Sequence, residues 1–211
     1  MSKDPYRIYA WTYDRLFEGI NRGLRLVGIR LARPKRGMAI LDVGCGTGTY
    51  LELFQRYKGD LCGLDSSASM LAIARERLGD TATLDLGDAE DMPYEDGKFD
   101  LVLCMLTLHE MSPATRTGVL AEMVRVLKGG GRILLIDYNN PGPIEFREGW
   151  RPKVTILLAE VFAGWRHFRN YRHFMASGGL GALAAQHGLR VEKQRILAGG
   201  TCAVYLASPQ R

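Results

Sequence analysis

The sequence predicts an α/β fold built on a mostly parallel sheet of seven strands, closed at one edge by an antiparallel hairpin. Two observations predict it. Between residues 39 and 136, short continuous apolar runs alternate with segments of helical period, as in parallel strands covered on both faces by helices. Beyond residue 189, two strand-like runs are joined by a tight loop containing Gly199 and Gly200, which makes them an antiparallel pair at the sheet edge.

The elements follow in order. Residues 39–43 form a first strand, followed by glycine-rich punctuation and a helical stretch to about residue 57. Residues 61–64 form a second strand, and 66–78 a helix with Met70, Leu71, Ala74 and Leu78 on one face. The third strand is 83–86 and the fourth 101–106, inside the richest apolar run of the chain. A helix over 113–127 presents Val119, Leu120, Met123, Val124 and Leu127. The triplet Gly129 to Gly131 reads as a breaker before a fifth strand at 132–136. A helix at 179–187 and strands at 189–196 and 201–207 complete the core.

Two helical additions lie outside it. In the first, Leu16, Ile20, Leu24, Val27 and Leu31 form an apolar stripe, with Arg15, Arg22, Arg25, Arg30 and Arg33 on much of the remaining surface. The second, residues 153–175, carries Ile156, Leu157, Val161, Phe162, Trp165, Phe168 and Tyr171 with Arg and His between them.

With 211 residues, 46% hydrophobic and 24% charged, the chain suits one globular domain, which excludes disordered, collagen-like and disulfide-scaffold proteins. No apolar stretch approaches the roughly 18–20 residues of a membrane span, and the start MSKDPYRIYAWTYDRLF lacks a secretory pattern, so a cytoplasmic protein is expected. Cys45, Cys62, Cys104 and Cys202 are scattered without metal-ligand spacing and read as buried reduced thiols, with no metal expected.

The net charge of +5 is unevenly spread. Residues 1–36 carry 9 basic and 3 acidic groups, 37–141 carry 9 and 16, 142–175 carry 6 and 3, and 176–211 carry 4 and 1. An acidic middle is wrapped in basic flanks. Such flanks meet an anionic partner, either a membrane surface or nucleic acid, or simply form a solvated face.

The densest chemical signal is LDVGCGTGTY at 41–50. A strand runs into Asp42, and Gly44, Gly46 and Gly48 turn the chain and let a ligand approach the backbone before a helix starts. The dinucleotide pattern GxGxxG would need its third glycine at position 49, which is Thr49. The spacing GxGxG after an acid is instead that of enzymes using S-adenosylmethionine, a cationic cofactor without phosphate, and Asp42 supplies negative charge near its methionine end. Asp65, ending the second strand, can accept both ribose hydroxyls. In GDAEDMP at 87–93, Asp88 can accept the adenine amino hydrogens while the Ala89 amide meets a ring nitrogen.

On these motifs the chain resembles a class I S-adenosylmethionine-dependent methyltransferase over residues 38–140, with a Rossmann-like core. Within that class it is similar to the ubiquinone/menaquinone C-methyltransferase group and related phospholipid methyltransferases, through WTYDRLFEGINRGLR, GLDSSASMLAIARERL, GDAEDMPYEDGKFD, VLKGGGRILLIDYNNP and LAGGTCAVYLASP. The resemblance implies cofactor contacts at Asp42, Gly44, Gly46, Gly48, Asp65, Ser66, Met70, Asp88 and Ala89, with Met105 near the methionine end and Tyr13 closing over the site. It also divides the single domain into a basic helical cap (1–36), a cofactor-binding core (37–141), a helical lid insertion (142–175) and a terminal helix with its hairpin (176–211). Where the quinone group has an Arg-Asn pair after strand four, this chain has His109 and Glu110, closer to the small-molecule and lipid branches.

Methyl transfer needs alignment and a dry pocket more than acid–base groups, and a base only where the acceptor must lose a proton. His109 is the candidate base by position and ordinary pKa, or else a satisfied polar residue at a strand end. Glu110 could orient it, and Tyr138 and Asn139 could hold the acceptor. His167, His173 and Tyr171 face either acceptor or solvent. The absence of an Asn/Asp-Pro-Pro-aromatic motif and of a Pro-Cys nucleophile disfavours nucleic acid as acceptor. The two basic, apolar-striped helices favour a lipid-like amphiphile entering from an anionic membrane at its inner face, either a prenylated quinol or a phospholipid amino headgroup. An RNA methyltransferase and a non-catalytic cofactor-binding protein are the alternatives.

Overall fold

The apolar runs hide in the middle layer of a three-layer sandwich. A computed structural model describes residues 10–140 and 164–210, with side chains from residue 21 onward. Seven strands, β1 (Ile40–Val43), β2 (Leu61–Asp65), β3 (Thr83–Leu86), β4 (Phe99–Met105), β5 (Leu127–Tyr138), β6 (Leu189–Leu197) and β7 (Cys202–Pro209), make one sheet in the order β3-β2-β1-β4-β5-β7-β6. Neighbours among β1 to β5 pair in parallel, while β7 lies antiparallel to both β5 and β6. The terminal hairpin expected from Gly199 and Gly200 is therefore present, with β7 on the inside.

Successive residues of the central strands enter opposite layers, as a period of two requires. Ile40, Leu101, Leu134 and Val204 meet α1 (Ala10–Ala32) and α3 (Ala68–Leu78) through Leu24, Ile29, Leu71 and Leu78. Leu41, Val102, Ile133 and Ala203 share the other core with Val119, Leu120, Met123, Phe174 and Leu180. These come from α4 (Pro113–Arg125), α5 (Trp165–Ala176) and α6 (Gly179–Gln186). The α3 face is the one its periodicity predicts: Met70, Leu71, Ala74 and Leu78 are buried. Ser67 and Ser112 cap α3 and α4, accepting from Met70 N–H and Thr115 N–H at 3.2 and 3.1 Å.

The structure corrects several local expectations. The helix after the glycine loop is only one turn, α2 (Thr49–Glu52), followed by a 3-10 turn at Gln55–Tyr57. Gly129 to Gly131 do not precede β5 but lie within it. Pairing jumps from Phe99 with Leu127 to Leu101 with Arg132, so the glycines form a bulge that absorbs extra residues on one strand. Of the second addition, residues 153–163 lie outside the described residues and the helix is described from Trp165.

The N-terminal helix lies against the sheet with Leu24 and Leu31 of the predicted stripe buried, and its buried face is wider than that stripe. Arg25 is buried alongside Asn21, Leu24, Ile29 and Leu31, whereas Val27 is only partly covered. Leu16 and Ile20 fall where side chains are not described. The added width follows from Gly28, where a Cβ would overlap the Tyr50 hydroxyl and lie 3.0 Å from Ile136 Cδ1. The helix backbone sits close to the sheet there, and the Tyr50 hydroxyl donates to the Arg25 carbonyl at 3.2 Å.

Gly28→Ala sets an overpacking cost of about 1–3 kcal/mol against a helix-propensity gain of about 1 kcal/mol. The expected outcome is a lowered melting temperature in the wild-type background and a smaller loss with Tyr50→Phe, read by thermal unfolding. Equal losses in both backgrounds would show that the hydroxyl is not the constraint.

Candidate active site

The strand order reverses between β1 and β4, which opens a crevice at their carboxyl ends. The loop leaving β1 occupies it. Gly44, Gly46 and Gly48 have φ of 72°, 53° and 76°, in the left-handed region. At Gly44 a Cβ would stand 2.7 Å from Thr107 Oγ1, so this loop packs directly on the one following β4. At Gly46 a Cβ would meet nothing within 4 Å, so the backbone there faces open space. Asp65 ties the loop down: its Oδ2 accepts from Gly46 N–H and its Oδ1 from Ser67 N–H, each at 2.8 Å.

Asp42 is 2% exposed. Burial foremost, and then the Asp65 carboxylate, push its pKa up from 3.8 to about 8, opposed by Arg25. Two acids at neighbouring strand ends, offset by one buried arginine, suit a cationic ligand and oppose a pyrophosphate. The donor set and the open space before Gly46 therefore fit S-adenosylmethionine.

The other expected contacts rim the same end of the sheet. Met70 is buried at the start of α3, Ser66 is exposed, and Met105 is half-buried at the end of β4. Asp88 is exposed and its Oδ1 accepts from Glu90 N–H at 2.9 Å, while Ala89 packs against the core. Tyr13 lies in the part of α1 whose side chains are outside the described residues.

A second cluster stands beside the first. After β4, Leu106 turns the chain with φ of 54° into a 3-10 turn, Leu108–Glu110. His109 is 4% exposed, and its Nδ1 lies 2.8 Å from Oδ1 of Asp137, which is fully buried near the end of β5. Asp137 also accepts from the backbone N–H of His109 at 3.2 Å and of Tyr138 at 2.7 Å. A carboxylate receiving three donors can only accept, so Nδ1 carries the ring proton and Nε2 is the basic nitrogen.

The orienting carboxylate is thus Asp137 and not Glu110. A 3-10 turn rotates successive side chains by about 120°, and Glu110 Oε2 lies 3.2 Å from His167 Nδ1 on α5. Aromatic rings cover His109: Tyr138 at 4.6 Å, His167 at 5.4 Å and Tyr171 at 6.4 Å between centroids. Tyr171 continues through Phe168, at 6.5 Å, to Trp165, which lies 6.0 Å further and is 79% exposed. His167 and Tyr171 therefore face His109, whereas His173 faces Arg116 and Ser177. Asn139 sends its Nδ2 to Gly200 O at 3.3 Å, bracing the hairpin loop.

Asp137, the turn residue at the end of KGGGRILLID, and Arg116 are the participants to which the sequence reading assigned no role. Asp137 had a signal: an acid ending the apolar run RILLID must find donors once the strand is buried. Arg116 had none, because its partners come from a separate turn and from α5, about 55 residues away along the chain. Among the described residues, no group of three or more His, Cys, Asp or Glu is arranged to hold a metal ion, and the four cysteines are free and buried.

Comparison with known proteins agrees with this geometry. The family described as "Methyltransferase domain" matches residues 40–131. An uncharacterized methyltransferase of Synechocystis sp. is 33% identical, covering 81% of this chain and 76% of that protein. The demethylmenaquinone methyltransferase of Desulfitobacterium hafniense is 31% identical, covering 96% of this chain and 87% of its own length. In fold, the solved structure of a SAM dependent methyltransferase from Aquifex aeolicus matches with a TM-score of 0.58 at 23% identity over 82% of each chain. The chain belongs to the class I S-adenosylmethionine-dependent methyltransferases, and its cofactor is S-adenosylmethionine.

Proposed function

We propose that this methyltransferase acts on an amphiphilic aromatic acceptor of the prenylated hydroquinone class, with His109 as the base. The observation that carries the reading is the buried His109–Asp137 pair beneath the rings of Tyr138, Tyr171 and His167. The likeness to the demethylmenaquinone methyltransferase supports it.

Bound S-adenosylmethionine supplies an electrophilic sulfonium methyl group. Asp42, Gly44, Gly46, Gly48, Asp65, Ser66, Met70, Asp88, Ala89 and Met105 would hold it. His109 Nε2 takes the proton of a ring hydroxyl, which makes the adjacent ring carbon nucleophilic, and Asp137 stabilises the imidazolium that forms; the imidazolium then returns its proton to the ring oxygen while the methylated carbon loses its own hydrogen to solvent as a proton, restoring the aromatic ring. Tyr138 and Tyr171 stack the acceptor ring and exclude water. Alignment in such a pocket is worth on the order of 7–11 kcal/mol, so the base is one contributor among several.

α5 would receive the acceptor from a membrane. Its sequence WRHFRNYRHFMA has no acidic residue, Arg166, Arg169 and Arg172 are exposed, and Trp165 and Phe168 line a shallow cavity of about 270 Å³ with Arg169 and Arg172. An exposed tryptophan among arginines is the composition of an interfacial helix, each cation adding about 1 kcal/mol near anionic lipid. Among the described residues no helix is long and apolar enough to cross a membrane.

Three outcomes are expected. His109→Asn and Asp137→Asn each lower turnover by about 100-fold or more, while calorimetry shows unchanged affinity for S-adenosylmethionine. With labelled methyl donor and lipid extract, label enters the quinol fraction; label in phospholipid headgroups would replace the hydroquinone reading.

The second outcome follows from Asp42. Its folded pKa of about 8 exceeds the unfolded 3.8, so cofactor-free stability is full below about pH 4 and falls as pH rises toward 8. The cationic cofactor favours the ionised acid, so affinity rises from pH 6 to 8 with proton release, and Asp42→Asn flattens that rise in calorimetry.

In the third, Trp165→Ala with Arg169→Gln weakens sedimentation with anionic vesicles, and high salt weakens the wild type. Equal binding to neutral vesicles would remove the charged-surface reading.

A further inference from the structure

Behind the turn that carries His109, helices α4, α5 and α6 border an open cleft of about 130 Å³ whose polar lining includes Arg116, Thr117, His173, Ser177 and His187. Among the described residues its walls contain three basic side chains and no acidic one. Arg116 is 3% exposed, and burial holds its pKa below the usual arginine value, opposed by the charge of Asp137, which lies beyond salt-bridge distance.

Among the described residues, every acceptor that Arg116 meets is uncharged. Its Nε donates to Leu108 O at 2.8 Å, and its Nη2 to His109 O at 3.2 Å and Asn170 O at 2.9 Å. Among the described residues its Nη1 reaches only His173 Nδ1, at 3.5 Å, and the guanidinium lies 4.9 Å over the Phe174 ring. Among the described residues no carboxylate comes within salt-bridge distance of it. A buried guanidinium ordinarily has a carboxylate or phosphate partner, because carbonyls solvate the cation without neutralising it.

Two further groups around the cleft can complement a negative charge. Ser177 Oγ lies 3.3 Å from His173 Nδ1, so both sit on the Nη1 side of the guanidinium. The half-buried His187 imidazole makes no hydrogen bond among the described residues.

The geometry points to a binding site for a small oxyanion of phosphate size, held by Arg116 Nη1, the imidazoles of His173 and His187, and Ser177 Oγ. The cleft admits a phosphate, either free or as the terminal group of a monoester. The site is independent of the acceptor proposed above. Its occupant would restrain Arg116, which holds the carbonyls of Leu108, His109 and Asn170 and so joins the His109 turn to α5.

The test titrates inorganic phosphate against sodium chloride at equal ionic strength, following thermal unfolding and the ring-proton resonances of the histidines. A parallel titration uses glycerol phosphate. The expected result is a saturable, phosphate-specific rise in melting temperature of roughly 3–6 °C at ten times the dissociation constant. The His173 and His187 resonances should shift with the same midpoint. Tighter binding of glycerol phosphate identifies a monoester as the source, and tighter binding of phosphate identifies the free ion.

The double variant His173→Gln with His187→Gln leaves the three carbonyl bonds of Arg116 in place and should weaken phosphate binding about tenfold or more. Arg195→Gln, on the exposed strand β6, should leave the midpoint unchanged. Equal stabilisation by chloride, or a double variant with the wild-type midpoint, overturns the site.

Discussion

Asp137 is fully buried near the carboxyl end of β5, where an unpaired charge would cost several kcal/mol. The structure meets that demand with three donors, two from His109 and one from the next residue of its own chain. To deliver them, the chain leaving β4 must turn back over β5, which it does through the left-handed Leu106 and a 3-10 turn. The imidazole orientation, its tautomer and the seating of α5 all follow from satisfying one carboxylate. The segment that packs on Gly44 and the segment that presents His109 are the same one, so cofactor loop and base are set by a common turn.

The neighbouring acids obey a different logic. Asp65 is satisfied by backbone donors and acts as a clasp between the loops after β1 and β2. Asp42 has burial and a like charge against it and Arg25 in its favour, and the balance leaves it holding a proton near neutrality. Residual strain of this kind, released by a positive ligand, is where an enzyme concentrates affinity. Arg25 makes α1 part of this arrangement.

The strand and helix pattern was legible because each core element carries its own period, and the face of α3 matches residue for residue. The glycine loop was legible because its conformation and its sequence are the same fact. What escaped was non-local. Gly129 to Gly131 look like a terminator locally, and only the pairing of β4 with β5 makes them a bulge. Arg25 looks like a surface residue on any helical wheel, and only the close approach at Gly28 buries it. Glu110 is the acid beside His109 in sequence, whereas Asp137 is 28 residues away. The choice between them depends on the rotation of a 3-10 turn and on the register of β4 with β5, and neither has a signature in composition.

The place of β7 has a consequence for how the molecule comes together. β5, with Asp137 near its end, has β4 on one side and β7 on the other, so half of its backbone hydrogen-bonding waits for residues 202–209. Until those residues emerge during synthesis, an apolar central strand presents an open edge, the species most prone to pair with another chain. Pairings of such long sequence separation also form slowly. The acid that orients the base is therefore secured by a strand that contributes no chemistry to the site.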